Sequence, residues 1–421
     1  MTTPVRYAIA GAGSRGRSYA NWIRQHPDRA LLLAIADPTT SAAQSIALDH
    51  RLRDDSIFGS WQEMVQSQPD VNAVIVCTQD NDHVAPAIAF LRAGYDVLLE
   101  KPMAPTEPEC HKITQAAEAS GTIFSVCHVM RHTPLTAAIK RMLIEGRVGQ
   151  IMSVEHLEPV GWWHHAHSYV RGNWCQQESS SSMLLAKSCH DLDWLLYIVG
   201  QPLAKVSSFG TLSHFTKQNQ PAEAADRCLD CPLQDSCAYS ATRIYLTKAR
   251  LGAFDWPLDV ITHDLTLAGV HQALREGPYG RCVYSCDNDV VDHQVVAMEF
   301  MGGATAVFTM TAFTEKALRK TRIFGTLGRL ETDGEEIKIL DFRTGRETVT
   351  PVGFGEQIGA SQGHAGGDDG LMDSFTTAVA ERDQSLVSDA SSALASHLAV
   401  FAAERSRLTG TVIDLVDGQS Q

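Results

Sequence analysis

The first 130 residues alternate short β-rich runs with segments of helical spacing. Val5 to Ala10, Leu31 to Ala36, Ala73 to Thr78, Asp96 to Glu100 and Thr122 to Val126 read as strands. Between them Trp61 to Gln66 and Val84 to Ala93 read as helices, the second stopped by Gly94. This alternation predicts a doubly wound α/β domain: a parallel sheet needs crossover connections, and helices serve as them on both faces.

After about Pro134 the pattern changes. A helix is predicted near Leu135 to Glu145, followed by the long β-rich stretches QIMSVEHLEPV, DHQVVAMEFMGGATAVFTMTAF and TRIFGTLGRLETDGEEIKILDF. Their Gly-Gly and Asp-Gly breaks favour antiparallel hairpins. Two helical segments, Gly370 to Glu381 and Ser391 to Leu408, close the chain. The expected layout is residues 1–130 as a doubly wound α/β unit and 131–421 as a second α/β domain, with a cysteine-containing insertion near 217–245.

One segment, ESSSSMLLAKSCHDLDWLLYIVG, combines apolar and chemically active residues. On a helical wheel Leu185, Cys189, Leu192, Leu196 and Val199 share one face, and Lys187, His190, Asp191 and Trp194 share the other. A serine at 181 or 182 can cap it. Its polar stripe reads either as a wetted surface or as part of a site.

A length of 421 residues suits two domains, and 44% apolar with 20% charged residues suits a globular protein. A net charge of −14 argues against nucleic acid or an anionic membrane surface as a partner. No run approaches the ~20 unbroken apolar residues of a membrane span, and the opening MTTPVRYAIAGAG lacks secretory-signal features, so a cytoplasmic location is expected. Ten cysteines in such a chain suggest thiols or metal ligands. Cys228, Cys231 and Cys237 in CLDCPLQDSC, with Cys282 or Cys286 as a fourth ligand, fit a structural zinc or iron–sulfur site; free thiols are the alternative.

Gly11, Gly13 and Gly16, with Ser14 and Arg15 between them, follow the first strand and open a helix. Asp37 ends the second strand 21 residues past Gly16. That context predicts a dinucleotide site: glycines admit the pyrophosphate, the helix N-terminus meets its charge, and Asp37 takes the ribose hydroxyls, favouring NAD over NADP. Thr78 and His83 in CTQDNDH, and Glu100 and Lys101 in LLEKP, fall at the carboxyl edge of the same sheet.

GAGSRG, CTQDNDH and above all Glu100-Lys101-Pro102 resemble the Gfo/Idh/MocA family of nicotinamide-dependent sugar oxidoreductases. The resemblance implies a Rossmann domain and a C-terminal α/β domain with an open, mostly antiparallel sheet that builds a homodimer or homotetramer. It implies that Lys101 lies near the nicotinamide and the reacting sugar carbon; an amine beside a cationic ring loses its proton more readily and can act on a hydroxyl. The family's Asp-x-Gly-x-His-x-x-Asp motif maps His190 and Asp193, making His190 the proton acceptor. Ala186 and Ser188 replace the motif's first aspartate and glycine, and Lys187 adds a cation beside the histidine.

The segment GWWHHAHSYVRGNW supplies His167, Tyr169, Arg171, Asn173 and Trp174 as candidate sugar contacts, aromatic faces stacking on C–H surfaces. Alternatively it packs on the core. His364 and Asp368 resemble the HxGGD loop of a glycoside-processing branch of the family, or Asp368 is an N-cap. The expected activity is NAD-dependent oxidation of a sugar or glycoside hydroxyl. Alternatives are redox-neutral glycoside hydrolysis through a transient 3-keto sugar, and NAD sensing without catalysis.

Overall fold

The computed structural model describes residues 3–352 and 365–416. The first sheet contains β1 (Val5–Ala10), β2 (Ala30–Ala36), β3 (Ile57–Phe58), β4 (Ala73–Val76), β5 (Asp96–Leu99) and β6 (Phe124–Val126). All pairs are parallel, in the order β3-β2-β1-β4-β5-β6. The order reverses between β1 and β4, so helices diverge there to opposite faces and leave a crevice beyond the strand ends. Both β4 and β5 are buried throughout, as a sheet covered on two sides requires.

The second sheet contains β7 (Ile151–Pro159), β8 (Leu203–Thr211), β9 (His293–Phe300), β10 (Thr305–Thr311), β11 (Lys320–Gly325), β12 (Gly328–Thr332), β13 (Glu336–Asp341), β14 (Arg346–Pro351) and β15 (Ile413–Asp414). Its order is β14-β13-β12-β11-β7-β10-β9-β8-β15, antiparallel except between β7 and β10. Gln294, Val296, Met298 and Phe300 point inward along β9, whereas Val295, Ala297 and Glu299 point outward. The expected α/β architecture of a parallel sheet plus an open, mostly antiparallel sheet is therefore present.

The polar stripe of the central segment is not a wetted surface. The segment forms two helices, Met183–Ala186 and Cys189–Val199, the first capped by Ser182 Oγ, which accepts from Leu185 N at 3.3 Å. Leu185, Leu192 and Leu195 join Val296 and Phe308 in the second core. The opposite side is buried as well: Asp191 and Asp193 have no exposed area and His190 is 3% exposed. Charged partners from elsewhere in the fold replace the water that the helical wheel implied.

The chain also returns to its first sheet. Helix Gly367–Glu381 sends Leu371, Met372 and Phe375 into the core that contains Tyr7 and Ile9. Arg382 pairs with Asp96 at 2.6 Å. The last helix, Ala390–Thr409, gives Ala390 and Ala393 to the first domain and Ala399, Val400 and Ala403 to the second. By length and composition residues 384–409 match a membrane span; in this fold their apolar side chains divide between two cores. A boundary at residue 130 therefore separates the strands, but not these helices, by domain.

Candidate active site

At the crevice, Gly11 has φ +109° and a Cβ there would meet Cys77 O at 2.3 Å; one on Gly16 would meet Gly11 O at 2.0 Å. Gly13 is different: a Cβ would meet nothing within 4 Å, so its missing side chain leaves open space over the loop. Helix Ser14–Gln25 starts there with neither a side-chain cap nor an acidic residue in its first turn. Its N–H groups and dipole are thus available to an anion. Asp37 accepts from Ala12 N at 2.6 Å and Thr39 N at 2.7 Å, which fixes its carboxylate beside the loop. These residues fit a dinucleotide: Gly11 to Gly16 would hold the pyrophosphate and Asp37 the ribose.

Gly16→Ala tests the cradle. Overpacking strain of about 1–3 kcal/mol, at about 1.4 kcal/mol per tenfold, predicts an NAD Kd raised by about fivefold to about 140-fold, measured calorimetrically.

The other expected cofactor residues brace the loops. His83 Nδ1 lies 2.7 Å from Pro102 O and Nε2 lies 3.1 Å from Thr78 O, tying the loop after β4 to that after β5. Thr78 Oγ1 donates to Asp82 O. Arg15 donates to Glu100 Oε1 at 2.5 Å and to Asp368 Oδ1 at 2.6 Å, so its charge is engaged inside the protein. Burial alone would raise the Glu100 pKa, but Arg15 and the Tyr19 hydroxyl hold it below the usual carboxylate range. Asp368 lies in the first turn of Gly367–Glu381, after an N-cap at Gly366, and is paired with Arg15. His364 lies outside the described residues.

Lys101 follows β5, and its Nζ donates to Ala186 O at 2.7 Å. This contact joins the edge of the first sheet to the helix pair that carries Lys187 and His190. The position where the family motif has an aspartate thus offers Lys101 a backbone carbonyl. Lys187 Nζ lies 3.2 Å from Glu158 Oε1, and Arg319 Nε lies 2.9 Å from Glu158 Oε2 and 2.5 Å from Asp191 Oδ1. Asp191 also meets His156 at 3.1 Å. Burial raises the Asp191 pKa, yet Arg319 and His156 hold it well below the usual range.

Asp193 accepts from Arg131 Nη2 at 2.5 Å, Arg131 Nε at 2.8 Å and Ser396 Oγ at 2.6 Å. Beside it, His128 is pushed down to about 3, chiefly by burial, and its ring lies 6.3 Å from that of His190. Glu158, Arg319, Arg131 and His128 were not selected from the sequence. Glu158 offered one signal, a carboxylate near the end of an alternating strand; the others become meaningful only through their partners.

The candidate sugar residues divide by position. Helix Trp162–His165 widens into a π-helical turn, Ala166–Arg171. Asn173 and Trp174 line a cavity of about 500 Å³ with Asp80, Asn81, Ser179 and Ser180, next to the cofactor edge. Tyr169 is buried between the rings of His165 and Trp174. His167 is stacked on Tyr279, with Nδ1 2.9 Å from the Tyr245 hydroxyl, and burial takes its pKa down to about 3. Arg171 also lines the cavity of Asn173 and Trp174; it is buried and donates to Arg281 O and Tyr239 O, reaching towards the cysteine insertion.

The insertion gives the metal reading no support. Among the described residues, no group of three or more His, Cys, Asp or Glu side chains is placed to hold an ion. The thiols make other contacts: Cys228 Sγ accepts from Arg171 and donates to Arg281 O, Cys282 Sγ accepts from Gln220, and Cys286 donates to Cys282 O. Cys231 is buried and Cys237 partly so. An apolar core of Tyr245, Leu246, Leu258, Val270 and Leu274 supplies the cohesion expected of a metal staple.

Comparison with known proteins extends these observations. Residues 5–128 match the model of an oxidoreductase family with an NAD-binding Rossmann fold, and residues 140–415 match the same family's C-terminal alpha/beta domain. The YteT oxidoreductase of Bacillus subtilis is 26% identical over 75% of this chain and 74% of its own. The 2,7-anhydro-N-acetylneuraminate hydratase of Mediterraneibacter gnavus is 26% identical over 64% and 67%. An oxidoreductase from Agrobacterium radiobacter, solved with NAD+, L-tartaric acid and magnesium, superposes with TM-score 0.73 at 13% identity over 99% of this chain and 100% of that one. A levoglucosan dehydrogenase in complex with NADH superposes with TM-score 0.71 at 18% identity over 98% and 99%. These two superpositions speak for the fold. With both domain models matched along nearly its whole length, the chain belongs to the Gfo/Idh/MocA oxidoreductase family.

Proposed function

We propose that this protein oxidises a hydroxyl of a sugar or glycoside with NAD, using Lys101 and His190 to handle the proton. The observation that carries this reading is the Lys101–Ala186 hydrogen bond of 2.7 Å, because it sets an amine from the cofactor edge against the helix pair bearing His190 and Lys187. Bound NAD would supply the hydride acceptor, consumed in net oxidation and restored each turnover in a redox-neutral reaction. Lys101 orients the hydroxyl and polarises its O–H, and His190 takes the proton. Burial of His190 limits competition from water. Asn173 and Trp174 support a sugar-facing wall, with Tyr169 packed against Trp174.

A second reading, redox-neutral glycoside hydrolysis, is favoured by one further feature. Lys187 and Glu158, 3.2 Å apart, form an additional acid–base couple that could serve removal of a proton beside a transient carbonyl. A relative named for hydration of an anhydro-sugar supports it as well. The outward face of the second sheet exposes Phe209, Met152 and Val307, which supports its use in a homodimer or homotetramer.

Incubation with NAD and a panel of aryl glycosides separates the readings. Steady NADH accumulation with the aglycone retained is the expected result for the oxidoreductase. Aglycone release without net NADH establishes hydrolysis instead, and NAD binding with neither outcome indicates a sensor.

A further inference from the structure

Lys316 lies in the connection from β10 to β11, and its backbone crosses Gly161 so closely that a Cβ on that glycine would meet Lys316 N, Cα and Cβ, each at 2.7 Å. Trp162 N donates to Thr314 O at 2.9 Å, locking the crossing. The Lys316 ammonium is thereby held 4.6 Å from the centre of the Trp256 ring and 5.6 Å from that of Trp163. These indoles lie 5.3 Å apart, with His164 edge-on to Trp256.

The ion pairs around this lysine leave it out. Lys187 and Arg319 share Glu158, Arg319 also binds Asp191, and Lys248 pairs with Asp255 at 2.9 Å. Asp259 adds a carboxylate beside Asp255 and Lys248, but among the described residues none of these carboxylates reaches Lys316 within ion-pair distance, and its ammonium meets the two indoles instead. His164 adds no charge of its own: burial, then Lys187 and Lys316, push its pKa well below the usual value and keep it neutral.

We propose that the substrate is a sugar acid whose carboxylate is received by Lys316 at this aromatic wall. The inference rests on the sugar-enzyme reading and specifies the part of the substrate away from the reacting carbon. A single ammonium without an ion-pair partner matches a carboxylate better than a phosphate, which brings a charge of roughly −1.5 to −2. The indoles take the apolar face of the sugar ring while the ammonium meets its acid group.

The test is binding rather than turnover, so it stands even if the reaction assignment fails. NADH-loaded protein is titrated calorimetrically with three matched pairs: glucuronate and glucose, galacturonate and galactose, mannuronate and mannose. At least one acid is expected to bind about tenfold tighter than its neutral partner, a difference of about 1.4 kcal/mol. Lys316→Gln should abolish that preference, Lys316→Arg should keep most of it, and added salt should weaken it. No acid preference in any pair, or one that Lys316→Gln leaves intact, overturns the proposal.

Discussion

Lys101→Met is expected to lower kcat by about 10³-fold, within the ~10² to 10⁴ that a positioned acid–base group contributes, while leaving the NAD Kd within about threefold. The separation follows from position. The glycine cradle and Asp37 would hold the cofactor through atoms that Lys101 does not touch, whereas the Lys101 ammonium faces Ala186 O. Methionine keeps the length and apolar stem but cannot donate a proton. Lys101→Arg should restore little, because a planar guanidinium neither fits the single carbonyl contact in the same way nor gives up a proton. Initial rates and calorimetric NAD titration on the same preparations measure the two effects. A large loss of NAD affinity with turnover preserved would assign Lys101 to binding instead.

Arg131→Met is expected to destabilise the protein by about 3–5 kcal/mol, the cost of stranding one member of a buried ion pair. Asp193 has no exposed area, and Arg131 supplies two of its hydrogen bonds. Burial works to raise the Asp193 pKa, and His128 and Arg131 more than offset it, leaving it below the usual value. A depressed folded pKa contributes stability above the unfolded aspartate value of about 3.9, and the contribution is lost as pH falls through the folded value. Without Arg131 burial prevails, so Asp193 can lower its cost by taking up a proton. The gap between wild type and variant in urea midpoint should therefore be widest at neutral pH and narrow towards about pH 4. An equal gap at both pH values would show that Arg131 acts through packing rather than charge.

The first sheet was legible because its central strands are buried on both faces and stand out as short apolar runs between turn residues. The two-residue β3 was not, since so short a strand has no period to detect. Helix Gly367–Glu381 was recognised as a helix but not as part of the first domain: periodicity reveals which face is apolar, not what covers it. The same limit explains the Cys189–Val199 stripe. A helical wheel looks identical whether Asp191 and Asp193 face water or face Arg319 and Arg131, and here they face the arginines.

At the candidate site, Gly11 to Gly16 and Asp37 were legible because backbone approach and helix polarity constrain residue type directly. Lys101 was visible as a strand-end lysine, but its partner is the backbone carbonyl of Ala186, which side-chain identity does not encode. In the insertion, the C-x2-C spacing suggested a metal, whereas Arg171 and local carbonyls engage the thiols and an apolar core binds the segment. Lys316 carried no sequence signal, since its placement depends on the close crossing at Gly161.

Under the proposed function, Lys101 and His190 serve hydrogen transfer between a sugar carbon and NAD, whether the net reaction is oxidation or hydrolysis. The most direct measurement supplies a turned-over glycoside deuterated at every ring carbon and follows the label in the cofactor by mass spectrometry through a single turnover. Recovery of deuterium in the cofactor, lost together with turnover in Lys101→Met, is the predicted result. Turnover of the glycoside with the cofactor unlabelled throughout would contradict it.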